Sequence, residues 1–169
     1  MLNNYFYSTM MMCLVIIPKI GGTLSILCSA FVAQDVLKFP ERRAKMTNLV
    51  ILALSISDII YSTTAYIFGT WPVPQGLVYG SSGNQGTCTA QGFLFAFFIG
   101  CGAYYNMTLA LTYLLQVRYE WSEEKLRRHQ PFFIFIPIFV SLVQSTSIFA
   151  YSAYNYTGSW CCGIAASPF

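Results

Sequence analysis

Four long apolar stretches dominate this chain, at roughly 13–37, 47–69, 89–117 and 131–153. Crossing the hydrocarbon core of a bilayer takes about 20 helical residues, so each stretch is long enough to span. Lipid leaves no backbone polar group unsatisfied, which restricts spanning structures to helices and closed barrels, and four strands cannot close a membrane barrel. The expected fold is an all-α membrane protein with four transmembrane helices, one domain over residues 1–169. Charge is correspondingly scarce: 9% of residues, against about 25% in soluble domains. The opening MLNNYFYSTMMM carries no basic residue ahead of the first apolar run. That argues for a first span retained as an anchor and against a cleaved signal peptide.

The placement of charge predicts an orientation. Of the nine Lys and Arg residues, all but Lys19 fall in two clusters. One holds Lys38, Arg42, Arg43 and Lys45; the other holds Arg118, Lys125, Arg127 and Arg128. Segments 70–88 and 155–169 carry no charge. Basic loops stay in the cytoplasm, so the N-terminus, the 70–88 segment and the tail are expected outside, in a multi-pass protein of the plasma membrane. Lys19 falls near the outer end of span 1, where it can snorkel to the headgroups. A net charge of +3 distributed this way is not a nucleic-acid signal, and the expected partner is the lipid bilayer.

Cys13, Cys28 and Cys101 fall within spans, while Cys88, Cys161 and Cys162 fall outside, where an oxidising compartment permits a disulfide among them. Either of the adjacent pair can approach Cys88. Asn155-Tyr156-Thr157 is a glycosylation sequon on the outer side, making Asn155 a glycosylation candidate; Asn106-Met107-Thr108 is also a sequon but lies within span 3. The triplet Cys161-Cys162-Gly163 is similar to the hallmark of tetraspanins. Tetraspanins keep both termini in the cytoplasm and carry the triplet after their third span, whereas here it follows the fourth, so topology excludes that reading.

A second resemblance covers nearly the whole chain. TNLVILALSISDII, with Asn48 and Leu54-Ser55-Ile56-Ser57-Asp58, resembles the second span of rhodopsin-like heptahelical receptors. TWPVPQG resembles their first outer loop, and CTAQGFLFAFFIG, opening on Cys88, their third span. LALTYLLQVRYEWSEEKLRR and GSWCCGIAASPF are similar to the cyclic-AMP-receptor-like family and its relatives in single-celled algae. The outer loop of that family reads Trp-Cys-Trp-Ile, which aligns its bridging cysteine with Cys161 and puts Cys162 in place of the second tryptophan. The resemblance implies the first four spans of a seven-helix, G-protein-coupled-receptor-like bundle, with a Cys88–Cys161 disulfide. It also implies an unknown extracellular ligand and a heterotrimeric G protein as partners. Arg118-Tyr119 stands without the preceding acid of the Asp-Arg-Tyr motif, and span 1 lacks the family's asparagine.

Asp58 is the only acidic residue deep in a span. A buried carboxylate in lipid is costly and should face the bundle interior with a partner. It is a switch or ion-site candidate together with Asn106, with Ser55, Ser57 and Ser62 as further possible partners. Tyr104 and Tyr105 are ligand-cavity candidates, and Gly100 and Gly102 allow close helix approach. The polar stripe Ser141 to Ser147 reads as helix–helix glue. Ser122 is placed to cap a short helix with Glu123 and Glu124 in its first turn and Arg127 and Arg128 near its end. Such a basic surface helix can contact anionic lipid or an intracellular partner, and the resemblance makes Arg118, Tyr119, Arg127 and Arg128 G-protein-facing candidates. No metal-ligand constellation, nucleophile–base pair or phosphate loop is evident, and His129 lies in the basic loop. No enzyme activity and no cofactor is expected. The rival readings are a transporter or channel fragment, with Asp58 on an ion path, and a structural four-span protein.

Overall fold

The computed structural model describes residues 2–165, with side chains described at Met10 and from Met12 onward; the end of the GSWCCGIAASPF segment lies outside this range. Six α-helices are present: α1 (Leu2–Lys38), α2 (Pro40–Arg43), α3 (Met46–Ser62), α4 (Gln85–Arg118), α5 (Glu123–Arg128) and α6 (Gln130–Ala150). A π-helix, Thr63–Ile67, extends α3. Strands β1 (Tyr154–Tyr156) and β2 (Cys162–Ile164) form an antiparallel hairpin, with Tyr156 opposite Cys162. Among the described residues four helices are long and apolar enough to cross a membrane: Met12–Lys38, Met46–Ile67, Gln85–Arg118 and Gln130–Ala150, hereafter spans 1 to 4. The chain is thus an all-α, multi-pass integral membrane protein, as its apolar stretches predict.

Span 3 begins earlier than its apolar stretch suggests because its end is built by polar residues. The Asn84 side chain accepts from Thr87 N at 3.0 Å, and Thr87 Oγ1 accepts from Asn84 N at 2.8 Å. This reciprocal cap satisfies donors that helix ends leave orphaned. Thr87 Oγ1 also donates to Pro72 O at 2.7 Å, tying the cap to the loop between spans 2 and 3.

Span 3 is the central element, packed between spans 2 and 4, while span 1 lies on span 2. Lipid tails are as apolar as the side chains, so close packing and interhelical hydrogen bonds hold such helices together. At Gly100 an added Cβ would come within 2.5 Å of Ser141 Oγ. The same hydroxyl donates to Phe97 O at 2.5 Å. Gly100 therefore serves close approach, as expected, and Ser141 is glue between spans 3 and 4. Gly102 has Leu54 no nearer than 4.0 Å and is not a tight contact.

The two ends of the bundle, called inner (the end with both basic clusters) and outer after the expected orientation, are closed differently. At the inner end, Met46, Val50, Cys101, Tyr105 and Leu126 form a buried cluster. Ser122 Oγ caps α5 by accepting from Lys125 N at 3.4 Å. Glu123 then reaches across: one carboxylate oxygen accepts the Met46 backbone N–H and the other accepts from Gln116 Nε2 at 3.1 Å. Span 2 has no side-chain cap of its own at Lys45, so Glu123 provides one from the second inner loop, with the sign of charge that a helix N-terminus favours. At the outer end, Val15, Val73, Val78, Cys88 and Cys162 form a second buried cluster. It joins span 1, the first outer loop, span 3 and the hairpin.

Candidate functional site

The outer half of the bundle contains a cleft of about 830 Å³ between spans 1 and 2, roofed by Trp160. Its construction starts in span 1. Gly21 lacks a side chain where an added Cβ would meet nothing within 4 Å, so this position opens on the cleft. At Gly22 an added Cβ would run into the Tyr66 ring, with Cγ at 2.9 Å, so the missing side chain lets Tyr66 lie against span 1.

Asp58 lines the cleft. Its Oδ2 accepts hydrogen bonds from Ser25 Oγ at 2.7 Å and Ser29 Oγ at 2.5 Å. Positions four apart share one helix face, so span 1 presents both hydroxyls to span 2 at this level. These are not the partners expected. Ser57 Oγ turns back to Ala53 O at 3.0 Å. Asn106 is exposed on span 3 and donates to Gly102 O at 2.9 Å, so the structure does not bring it to Asp58. Asp58 is held by Ser25 and Ser29 of span 1, which were not among the four candidates left open by the sequence. Span 1 had offered only small residues in the sequence; two serines at helical spacing were the overlooked signal.

Three aromatic rings wall the cleft: Tyr61, Tyr66 and Trp160. Tyr61 and Tyr66 meet edge to face with centroids 5.6 Å apart and hydroxyls 3.3 Å apart. Tyr66 stacks on Trp160 at 6.3 Å. Tyr66 reaches this position from the π-helix, a widened turn found often at functional sites. Gly69, at φ +36°, ends the segment. Two carbonyls here, Thr64 O and Gly69 O, accept from Gln91 Nε2 of span 3 at 2.9 and 2.7 Å. Gln91 was not singled out from the sequence, where one glutamine in an apolar span carries no pattern.

The hairpin fixes the cysteines. Cys88 is bonded to Cys162, with Cα atoms 5.3 Å apart, and Cys161 is a free, buried thiol. The expected Cys88–Cys161 pairing is therefore wrong by one residue. Side chains alternate across a strand, and β2 begins at Cys162. Its backbone N–H donates to Gln91 Oε1 at 3.0 Å, which holds Cys162 against span 3. Cys161 occupies the other side of the chain beside Trp160, where burial pushes its thiol up to about 11. The Trp-Cys spacing of the resembling family does not encode this strand register.

Asn155, the glycosylation candidate, lies in the hairpin. It is only 5% exposed. Its Nδ2 donates to Ser152 O at 3.3 Å and Ala165 O at 3.2 Å, while Oδ1 accepts from Gln85 Nε2 at 2.9 Å. Both ends of the amide are thus engaged within the fold. The ligand-cavity candidates Tyr104 and Tyr105 do not line the cleft. Tyr104 donates to Gln144 Oε1 at 3.0 Å, linking spans 3 and 4. Tyr105 is buried in the inner cluster and donates to Ile134 O at 3.1 Å, bordering a smaller pocket of about 380 Å³.

Arg118, Tyr119, Arg127 and Arg128 are all exposed at the inner end, where both basic clusters meet. Arg127 and Arg43 line one shallow pocket, so the two inner loops are adjacent. Arg42 is paired with Asp35, and Lys125 sits over the Trp121 ring at 4.1 Å. Among the described residues no group of three or more His, Cys, Asp or Glu side chains is placed to hold a metal ion. Compared with known proteins, the chain matches no family model and no curated protein.

Proposed function

We propose that this chain is the first four spans of a heptahelical, G-protein-coupled-receptor-like protein of the plasma membrane, with its N-terminus outside. In this reading it is a sensor and not an enzyme: an extracellular ligand acts at the outer half of the bundle, and a G protein engages the basic inner end. The observation that carries it is the bond from Cys88, at the start of span 3, to Cys162 in the hairpin after span 4. That bridge straps a folded loop across the bundle mouth and sets Trp160 over a cleft containing the one acid deep in a span. A loop held over a cavity by span 3, with a basic face at the opposite end, is the arrangement a transmembrane sensor needs.

Guanine-nucleotide exchange on heterotrimeric G proteins tests the coupling half, using cells that express the transcript with everything it encodes. The expected result is three further apolar spans in that transcript and exchange that falls when Arg127 and Arg128 are both changed to Gln. A transcript ending after four spans, in a protein that drives no exchange, contradicts the reading.

A further inference from the structure

The outer cleft holds one charged group, and no cation balances it. Oδ2 of Asp58 takes both serine hydrogen bonds, while Oδ1 accepts none from the described residues. The only ion pair among the described residues is Arg42 with Asp35, at the far end of the bundle. Two neutral hydroxyls orient a carboxylate but do not neutralise it, and a half-buried charge with no counter-ion, at the level of an apolar span, is costly. The walls around it are aromatic: Tyr61, Tyr66 and Trp160. Aromatic faces attract cations, and alkylated ammonium ions above all, because their charge is spread over apolar methyl groups. We infer that the cleft binds a small organic ammonium ion, with Asp58 as its counter-ion and the three rings about its alkyl groups.

Other ligand chemistries fit less well. A hard metal cation asks for about six oxygen ligands, and this lining supplies one carboxylate and few hydroxyls among apolar side chains. An anion is repelled by Asp58. A lipid tail fills the apolar walls but leaves the carboxylate unanswered. The volume of about 830 Å³ lies within the range of roughly 300–1,000 Å³ usual for small-molecule sites. Gly21 keeps the space open without being needed for packing, since a side chain there meets nothing within 4 Å. This inference names the ligand class for the sensor proposed above, but binding is read without any G protein. Failure of ammonium binding and failure of coupling are therefore separate results.

Choline and its uncharged isostere 3,3-dimethylbutan-1-ol are the probes, titrated calorimetrically into the full chain in a maltoside detergent free of choline headgroups. Choline is expected to bind at least about tenfold more tightly than the alcohol. Asp58→Asn should remove that preference by weakening choline alone, and Gly21→Leu, which fills the cleft, should abolish binding of both. Equal affinities for the two probes overturn the inference. So does choline binding unchanged in either variant, or its absence from wild-type protein whose disulfide is intact. If Asp58→Asn does not fold, the probe pair on wild-type chain and on Gly21→Leu still decides the matter.

Discussion

Gln91 accepts the backbone N–H of Cys162 at 3.0 Å, one turn along span 3 from the cysteine to which Cys162 is bonded. The other end of the same amide donates to Thr64 O and Gly69 O. One buried side chain thus joins the outer hairpin, span 3 and the π-helix that carries Tyr66 to the cleft wall. Truncating one partner of a buried hydrogen bond leaves the others unsatisfied at about 1–3 kcal/mol. Gln91→Leu keeps the size, strands two carbonyls and one N–H, and should destabilise the protein by at least that amount. Thermal unfolding in detergent measures it; a Gln91→Leu protein as stable as wild type would show that the amide holds nothing together.

The disulfide gives a second prediction. Peptide mapping without reductant should recover residue 88 linked to 162 and never to 161. Cys161→Ser should leave the bridge intact, whereas Cys162→Ser should remove it. A bond closing 74 residues stabilises by about 4 kcal/mol in chain-entropy terms, an upper guide for a chain already constrained by lipid. Mapping that finds Cys88 joined to Cys161 would place β2 one residue out of register.

Cys161 should respond to alkali. Burial raises its thiol from 9.0 to about 11. A thiol raised on folding stabilises the protein fully below the unfolded value, and that contribution is lost as pH rises through the folded one. The native protein should lose stability between about pH 9 and 11, and Cys161→Ala should flatten that limb. Maleimide should label Cys161 at neutral pH only after denaturation. Rapid labelling of folded protein contradicts its burial.

Asp58 and its two serines allow a test of geometry. Asp58→Asn keeps an acceptor for Ser25 and Ser29 and removes the charge, so it should reach the cell surface better than Asp58→Lys, which sets a cation against two hydroxyls in an apolar wall. The double variant Ser25→Ala, Ser29→Ala should be less stable than wild type in detergent by about 1–3 kcal/mol. Equal surface delivery of the Asn and Lys proteins would mean that Asp58 is in contact with bulk water.

Glu123 should matter to span 2, although it lies in a different loop. Glu123→Ala removes the only side-chain cap on the Met46 end and should cost about 1 kcal/mol of stability; Glu123→Gln, which keeps an oxygen, should cost less. If alanine is neutral, the cap is not stabilising.

Much of this architecture is legible in the sequence because lipid imposes one dominant rule. Spans 1 to 4 follow from apolar length, and the meeting of Arg43 with Arg127 at one end follows from charge placement. Ser122 as a cap and Gly100 as a contact are local signals with local causes. The misses all depend on partners far along the chain. Asp58 binds Ser25 and Ser29 because span 1 packs on span 2 in one rotation, and the serine spacing in span 1 does not by itself say which helix it faces. The sequon at Asn155 gives no sign that the hairpin holds this amide against Gln85 and Ala165. The choice of Cys162 over Cys161 is a strand register, and adjacent residues in a tail carry no information about which of them faces span 3.

The account rests on both basic loops lying inside and on the Cys88–Cys162 strap lying outside. Epitope tags ahead of Met1 and directly after Phe169, stained in unpermeabilised cells, test this most directly. Both tags should be labelled without permeabilisation. If either is labelled only after the membrane is opened, the strap and cleft face the wrong compartment for the proposed sensor.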